Sequence, residues 1–483
     1  MATRNGLAID VTASTGSTNA DLRQRLDALR TPVLLAAEEQ TAGRGRAGRS
    51  WLAAPGDSLC FSLAWPFAGA VTRLAGLPLA RALAAPQPLP WTNVTGLIDS
   101  YVAPRKLAGA VAAMGRGFDP AQIIARGTHA LDNPVPIGAD SLFRIYSMTK
   151  PITGMAAMIL IDEGKLGLDQ PIADLLPKFA KMQVQAVPDG SITELVPATR
   201  AITVRHLLTH TAGLGYSIIQ TGPIKTAYER AGVVPGQVSR TQARGMPDVP
   251  TAPSLAEFAD RLAELPLVYQ PGTQWSYSVS LDLLGRVIEL ASGQSFEGFL
   301  QDRLFGPCGM DSTFFRVPAS AAARLTDNYG VDKTGLVPLD PAGNSIYLDA
   351  PAFPFGGAGL VSSPRDYDRF LLMLLGKGVL GGKRVMSERA VTVGMSNLLP
   401  EGAATAGTMV DSAGFGAGGR VGLGNTAGQF GWGGAAGTVA MVDAARGVRA
   451  SFYTQYMPSN AYPLHADFPK AVAADMIALA KGA

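Results

Sequence analysis

The sequence is poor in the residues that build disulfide frameworks and metal sites. Its 483 residues include two cysteines and four histidines. Cys60 and Cys308 are far apart and match no ligand-like spacing, which argues against a disulfide framework and fits a reducing compartment. The histidines form no H-E-x-x-H pair, and the glycine fingerprints of dinucleotide and P-loop sites are absent. We therefore expect neither a metal nor another cofactor.

Charge and long apolar runs are also scarce. Charged residues make up 16% of the chain, and no apolar run approaches the roughly 18 to 20 residues that span a bilayer. The N-terminal MATRNGLAIDVTAS lacks the basic region and apolar core of a secretory signal. We therefore expect a cytoplasmic protein with no membrane partner. The oligomeric state is left open.

The net charge of +3 is unevenly distributed along the chain. Residues 1–90 hold nine arginines, no lysine and six acidic residues, whereas basic and acidic residues balance in the remainder. The remainder shows no basic stripe, so nucleic-acid binding is not predicted. The change coincides with a proline-rich joint at 84–90, AAPQPLP. We therefore predict two domains, 1–90 and 91–483.

The N-terminal part contains the segments STNADLR, LLAAEEQTAGRGRAGRSW and SLCFSLAW. These resemble the front half of the catalytic domain of biotin–protein ligases, with Gly43–Arg49 matching the glycine- and arginine-rich loop over the biotinyl-adenylate. Such a loop lets backbone N–H groups approach a phosphate that arginines neutralise. The resemblance ends near residue 84, and the Lys-Trp-Pro-Asn-Asp segment of the family does not occur. We expect residues 1–90 to be a fused fragment without ligase activity.

The segment SLFRIYSMTKPITGMAAMILIDEGKL contains a Ser-x-x-Lys pair, Ser147 and Lys150. Residues three apart at a helix start share one face of the first turn, where the lysine amine can take the serine proton. Pro151 restricts the helix to a start near Ser147, because proline is tolerated only in the first turn. The pair predicts a covalent nucleophile for acyl transfer. The alternative is a capping serine beside a solvated lysine.

Tyr277 is a second candidate for catalysis. It follows a Pro271-Gly272 turn and precedes a helix predicted from about Leu281 to Ala291, which Ser280 can cap. A free phenol holds its proton at neutral pH, so a base role requires a neighbouring ammonium such as that of a lysine. The alternative is a core tyrosine with a hydrogen-bonded hydroxyl.

Five segments follow one another from residue 91 onward: SLFRIYSMTKPITG, ITVRHLLTHTAGLGY, PGTQWSYSVSLDLLGRVIE, GGAGLVSSPRDYDRF and FGWGGAAGTVAMVD. Together they closely resemble the family VIII carboxylesterases, which are serine esterases on the fold of class C β-lactamases and penicillin-binding proteins. The resemblance implies an α/β body, with an antiparallel sheet flanked by helices. It also implies a mostly helical lobe inserted over roughly 165–350, with the active site in the cleft between lobe and sheet.

The resemblance also implies roles for the candidate residues. Ser147 would be the nucleophile of an acyl-enzyme mechanism, and Lys150 and Tyr277 together would be its base. The backbone N–H groups of Ser147 and Ala435 would form the oxyanion hole. An ester would then be hydrolysed through a covalent acyl-serine.

Two departures from β-lactamases bear on the substrate. Val279 stands where the Tyr-x-Asn motif has an amide, and Trp432 stands where Lys-Thr-Gly has a lysine. Together with Gly433 and Gly434, these positions are the expected substrate-binding residues. Both changes make the site more apolar, which favours small uncharged esters with short to medium acyl chains and leaves β-lactam hydrolysis as a weak side activity.

Three alternatives stay open. The same fold and site would serve an acyltransferase that passes the acyl group to an alcohol, or a β-lactamase or D-amino-acid peptidase. A biotin-adenylate-binding module is a more remote possibility.

His206 and His210 in HLLTH lie one helical turn apart like a metal pair, but no acidic residue lies between them. We expect both to be buried, hydrogen-bonded supports of the site.

Overall fold

The structure is a computed structural model. It describes residues 89–240 and 251–482 and, among the first 88 positions, residues 2–4, 7–15, 21, 24, 33–44, 50–53 and 60–64. The chain divides into two compact units, Met1–Gln87 and Pro88–Ala483. The division lies within the proline-rich joint at 84–90.

The first unit contains a five-stranded sheet. Its strands are β1 (Ala2–Arg4), β2 (Leu7–Thr15), β3 (Val33–Arg44), β4 (Ser50–Ala53) and β5 (Cys60–Ala64). β2 and β3 pair in parallel, and the other pairs are antiparallel. Most of the glycine- and arginine-rich loop, positions 45–49, lies outside the described residues. The absence of ligase activity stays a prediction.

The second unit contains strands along most of its length. In chain order they are β6 (Gly109–Arg116), β7 (Gln122–Gly127), β8 (Phe143–Arg144), β9 (Gln183–Gln185), β10 (Leu195–Pro197), β11 (Asn328–Asp332), β12 (Gly335–Asp340), β13 (Val361–Ser362), β14 (Val379–Leu380), β15 (Lys383–Arg384), β16 (Gly414–Phe415), β17 (Arg420–Val421), β18 (Gln429–Gly433), β19 (Val439–Asp443), β20 (Val448–Tyr453) and β21 (Tyr456–Met457).

The helices of the second unit precede, separate and follow these strands. They are α1 (Thr92–Val102), α2 (Thr149–Asp162), α3 (Val204–Leu208), α4 (Gly222–Arg230), α5 (Leu255–Ala263), α6 (Ser280–Ser292), α7 (Phe296–Leu300), α8 (Gly306–Cys308), α9 (Pro364–Leu375), α10 (Glu388–Gly394) and α11 (Leu464–Gly482). No helix of the described residues is both long and apolar enough to cross a bilayer.

A seven-stranded antiparallel sheet forms the centre of this unit, in the order β16-β17-β18-β19-β20-β6-β7. β6 and β7 come from the beginning of the unit and the other strands from its end. β20 pairs with β6, from Val448 opposite Arg116 to Tyr453 opposite Val111. β20 is buried along its whole length, as a strand covered on both faces should be. The architecture confirms the predicted α/β fold.

One face of the sheet is covered by α1 and α11. Phe452 of β20 packs against Phe468 of α11, with ring centroids 5.3 Å apart. The Asp475 carboxylate of α11 accepts the backbone N–H groups of Asn93 (2.9 Å) and Val94 (3.0 Å) at the start of α1. These are helix-end donors that no intrahelical carbonyl can satisfy. Asp475 therefore anchors α11 to α1.

The main core contains α2. Its residues are buried from Thr149 to Leu160, as expected for a helix that is apolar on every side. The helix begins two residues after Ser147, and Pro151 lies in its first turn, where a missing N–H costs nothing. The N-terminus of α2 is thereby fixed at the end of a rigid, fully packed element.

The predicted inserted lobe, roughly 165–350, contains α3 to α8 and the two-stranded pairs of β9 with β10 and of β11 with β12. The β11–β12 pair extends through β21, which runs parallel to β11. The exact bounds of the lobe stay a prediction.

Candidate active site

Ser147 lies in a 3-10 turn, Tyr146–Met148, between β8 and α2. Tyr146 has a φ of 42°, a left-handed conformation that costs energy for a bulky residue and persists only where packing enforces it. The Tyr367 hydroxyl of α9 supports the turn by donating to the Met148 carbonyl at 2.9 Å. Ser147 is 9% exposed at the N-terminal end of α2.

Lys150 lies one turn after Ser147 and is completely buried. Its Nζ donates to the Ser147 Oγ at 3.1 Å and to the Gly357 carbonyl at 2.7 Å. The alternative of a solvated surface lysine is therefore wrong. The structure brings Ser147 and Lys150 together as the Ser-x-x-Lys spacing predicted.

Asp282 lies behind Lys150, and sequence reasoning missed it. Its Oδ1 accepts the Gly357 N–H at 2.8 Å, and Gly357 in turn accepts from Lys150. Its Oδ2 has no hydrogen-bond partner among the described residues. Burial raises the pKa of Asp282 to about 6, while the positive charge of Lys150 opposes that rise. The sequence contains no signal for Asp282, because an acidic residue in the first turn of a helix is common and is usually explained by its interaction with the helix dipole.

Tyr277 faces the same lysine. The Lys150 Nζ lies 4.4 Å from the centroid of the Tyr277 ring. The Tyr277 hydroxyl accepts a hydrogen bond from the Trp432 Nε1 at 3.1 Å, so its bonded partner is Trp432 and not Ser147. The three candidates are thus adjacent, with Lys150 between the serine and the tyrosine ring.

Aromatic rings surround Tyr277. Trp275 stacks on it with ring centroids 5.9 Å apart, and Tyr216 meets it edge-on at 5.3 Å. Phe415 packs against Trp432 at 5.3 Å. The sequence marked Trp432 alone of these neighbours, because the others belong to separate segments whose proximity only the fold creates. The Tyr277 ring therefore lies within a cluster of aromatic side chains.

Trp432 and Gly433 end β18 and Gly434 follows it, beside the Tyr146–Met148 turn. A side chain at position 434 would overlap the Ile145 carbonyl, so the strand approaches that turn as closely as glycine permits. Ala435 packs against the cluster that contains Tyr146. The structure therefore brings the predicted oxyanion-hole segment next to Ser147.

Val279 is fully buried and its backbone N–H donates to the Gly215 carbonyl at 3.2 Å. It is also the residue that precedes α6, which begins at Ser280 and ends before Gly293. The predicted Ser280 cap is wrong, because no side chain caps this helix. The Ser280 hydroxyl instead bonds to the Ser278 hydroxyl at 2.7 Å.

Both histidines of HLLTH are buried and hydrogen-bonded, as predicted. The Nδ1 of His206 accepts the Thr203 N–H at 3.1 Å, and burial together with nearby arginine charge lowers its pKa to about 4. The Nδ1 of His210 accepts the Ser278 N–H at 3.2 Å, and its ring lies 4.8 Å from that of Tyr277. Burial and the charge of Lys150 hold the pKa of His210 well below its usual value.

Within the described residues, no group of three or more His, Cys, Asp or Glu side chains is placed to hold a metal ion. Cys308 is a free, buried thiol whose pKa burial raises to about 12, which makes it unreactive.

Two family models match the chain. Residues 94–474 match the Beta-lactamase family, and residues 8–122 match the Biotin/lipoate A/B protein ligase family. The second match runs past residue 84, where the resemblance was expected to end. Its last part includes β6, which pairs with β20 in the sheet of the second unit.

Curated relatives and solved structures resemble the same region. Protein Rv1367c of Mycobacterium tuberculosis is 38% identical over 285 residues, which are 59% of this chain and 66% of that protein. Esterase EstB of Burkholderia gladioli is 32% identical over 298 residues, 58% of this chain and 68% of that protein. The chain thus spans about two thirds of these relatives. The structure of EstCE1, described as a hydrolase with promiscuous acyltransferase activity, is 24% identical, covers 79% of this chain and 97% of its own, and has a TM-score of 0.62.

Proposed function

The chain belongs to the Beta-lactamase family, and from this premise we propose that it is a serine carboxylesterase for short- to medium-chain esters. The observation that carries the proposal is the contact between Lys150 and Ser147, with Nζ 3.1 Å from Oγ at the start of a buried helix. A buried lysine that bonds to a serine hydroxyl is an arrangement suited to proton removal. The similarity to esterase EstB supports the same reaction class.

In the proposed acylation, the Ser147 Oγ attacks the ester carbonyl carbon. Its proton is taken by Lys150 and Tyr277 acting together as the base. Lys150 passes a proton to the Tyr277 oxygen as it accepts the one from Ser147, so the charge of the lysine is unchanged and Tyr277 becomes protonated. The partial positive charge at the N-terminal end of α2 favours the negative charge that develops there. The carbonyl π electrons move to oxygen, and a tetrahedral intermediate forms.

Tyr277 then completes the transfer. Its phenolic proton goes to the departing alkoxide, the C–O bond of the ester breaks, and acyl-Ser147 remains. The Trp432 indole N–H at 3.1 Å and the Lys150 Nζ at 4.4 Å from the ring both favour negative charge on the tyrosine. The same pair accepts a proton from water for deacylation, which releases the carboxylic acid and restores the serine.

The oxyanion is proposed to lie on the backbone N–H groups of Ser147 and Ala435. The close approach of Gly434 to Ile145 supports this pairing, because it brings the two segments together at backbone distance. One such donor is worth roughly 3 to 4 kcal/mol of transition-state stabilisation. Because the Ala435 donor is backbone, a side-chain substitution there would not reveal it.

The apolar surroundings support an uncharged substrate. Trp432 takes the position where β-lactamases carry a lysine, and its indole bonds to Tyr277 instead of offering a cation. Val279 is buried and presents no amide to a lactam side chain. With no cation at position 432, a substrate carboxylate would be desolvated there without a partner, which is costly.

The experiment is hydrolysis of p-nitrophenyl acetate and butyrate by the wild type and Ser147→Ala, with nitrocefin alongside. Ester turnover that Ser147→Ala abolishes, with little nitrocefin cleavage, is the expected result. Ser396→Ala is the matched control, because Ser396 is exposed and bonds only to the Val393 carbonyl among the described residues. A chelator should leave the rate unchanged. Full activity in a folded Ser147→Ala variant would refute the assignment.

Acyl transfer to an alcohol is the second candidate. The aromatic rings around Tyr277 favour it, because a site that excludes water slows hydrolysis of the acyl-enzyme. Product analysis with p-nitrophenyl butyrate and a primary alcohol separates the two activities. A butyrate ester as main product, instead of butyric acid, would make the chain a transferase.

A further inference from the structure

The turn that follows β18 presents Ala435, and its geometry depends on Thr438. The Gly434 N–H donates to the Thr438 carbonyl at 2.7 Å, and the Gly437 N–H donates to the Gly434 carbonyl at 3.2 Å. The Thr438 hydroxyl donates to the Ile145 carbonyl at 3.4 Å, two residues before Ser147. Thr438 therefore links the two segments proposed to supply the oxyanion donors.

His465 of the C-terminal helix α11 bonds to the same residue. Its Nε2 lies 3.0 Å from the Thr438 carbonyl oxygen, which accepts the Gly434 N–H as well. A carbonyl can only accept, so this nitrogen carries the proton. Burial lowers the pKa of His465 below its ordinary value, against the hydrogen bonds to the backbone at Thr438 and Gly434. The geometry thus makes the Nε2–H group the donor to the Thr438 carbonyl.

The imidazole also packs on the strand before the turn. A Cβ at position 433 would lie 3.1 Å from two atoms of the His465 ring, which is tighter than ordinary side-chain contacts. The absence of a side chain at Gly433 thus leaves the space that the ring fills. On the other side of the turn, a Cβ at Gly437 would overlap the Tyr456 ring. The turn lies between His465 and Tyr456.

We infer that His465 is a positioning residue for the oxyanion donor at Ala435, acting through the Thr438 carbonyl. This inference rests on the proposed function. It adds His465, which lies 27 positions after Thr438 and outside the five segments that carry the family resemblance. The Nε2–H bond fixes the carbonyl that closes the turn, and the ring prevents β18 from shifting toward α11. Loss of the bond would let the Ala435 N–H move, and an oxyanion donor acts only within a narrow range of distance.

The test compares three substitutions that separate the hydrogen bond from the volume of the ring. His465→Phe keeps the ring and removes the donor, and His465→Ala removes both. His465→Gln keeps an N–H donor near the Nε2 position. We expect His465→Phe and His465→Ala to lower kcat for p-nitrophenyl butyrate by about 10- to 100-fold with KM within about threefold, because the lost interaction belongs to the transition state. His465→Gln should restore most of kcat.

Asp475→Asn is the matched control, because it weakens the anchor of α11 on α1 without contacting the turn. It should lower thermal stability but leave kcat unchanged. An equal fall of kcat in Asp475→Asn would mean that only the docking of α11 matters, and would overturn the inference. Unchanged kcat in His465→Phe would overturn it as well.

Amide exchange in the peptide 433–440 gives a readout that needs no turnover. Exchange should be faster in His465→Phe and His465→Ala and near the wild-type rate in His465→Gln and Asp475→Asn. Unchanged exchange in all variants would overturn the inference even in an active enzyme. A wild type without ester turnover would instead refute the proposed function, and the exchange data would then report the anchoring of the turn alone.

Discussion

Removal of the Asp282 charge should stabilise the protein above pH 6. The carboxyl group is fully buried, and its pKa rises from 3.8 to about 6 on burial. Asp282→Asn keeps an acceptor for the Gly357 N–H and removes the charge. A rise of about 2 pKa units corresponds to about 3 kcal/mol of penalty on the ionised form. The ionised carboxylate at neutral pH is therefore a cost to the fold.

The sign of the pH dependence follows from proton binding. Because the pKa of Asp282 is higher in the folded than in the unfolded state, the folded state holds more protons between about pH 4 and pH 6. The stability contribution of this group is complete below about pH 4 and is lost as the pH rises through 6. In Asp282→Asn that loss is absent. The difference in free energy of unfolding, variant minus wild type, should grow by about 3 kcal/mol from pH 4 to pH 7.

Urea unfolding of both proteins at several pH values, followed by tryptophan fluorescence, measures this difference. Asp302→Asn, at an exposed helix position, is the control for which no such growth is expected. The Asp282→Asn variant should also lose ester turnover, because the carboxylate faces the Lys150 charge. A stability difference that does not change with pH would refute the reasoning. So would a variant that is less stable than the wild type at pH 7.

Three further outcomes are expected. Lys150→Ala and Tyr277→Phe should each lower kcat/KM for p-nitrophenyl butyrate by roughly 10²- to 10⁴-fold. The double variant should lose little more activity, because the two residues are proposed to act as one base, and additive losses would contradict this. Gly434→Ala should lower kcat by about 100-fold or more in a protein with an unchanged circular dichroism spectrum, because the methyl group would displace the segment proposed to supply the Ala435 oxyanion donor. Arg144→Met leaves the buried Asp340 carboxylate without its ion partner and should reduce the free energy of unfolding by about 3 to 5 kcal/mol in urea titrations; a cost below about 1 kcal/mol would show the pair to be dispensable.

The parts of the site that the sequence predicted are local in the chain. The Ser147–Lys150 contact follows from a three-residue spacing on a helix, and Pro151 fixes where that helix begins. The α/β fold was predicted through a resemblance carried by five separate blocks, and the observed sheet agrees with it. Such features need no knowledge of which distant segments meet.

The parts that the sequence did not reveal join distant segments. Asp282 of α6 meets Gly357 from a loop before β13, and His465 meets Thr438 from another element. No periodicity or spacing encodes such contacts. The predicted helix cap by Ser280 was wrong for a related reason. The Ser280 hydroxyl bonds to the Ser278 hydroxyl, which itself contacts His210 from a distant segment. Local capping rules do not include competition from tertiary partners.

The pairing of β6 with β20 has a consequence for synthesis on the ribosome. Arg116 of β6 pairs with Val448 of β20, which is synthesised much later. At roughly 5 to 20 residues per second, the ribosome takes between about a quarter of a minute and a minute to get from Arg116 to Val448. For most of that interval Ser147 and Lys150 have been made, but β18, which contacts the turn that holds Ser147, has not. A nascent chain therefore lacks the complete Ser147 site, and the edge of β6 stays unpaired and open to other strands until β20 has been made.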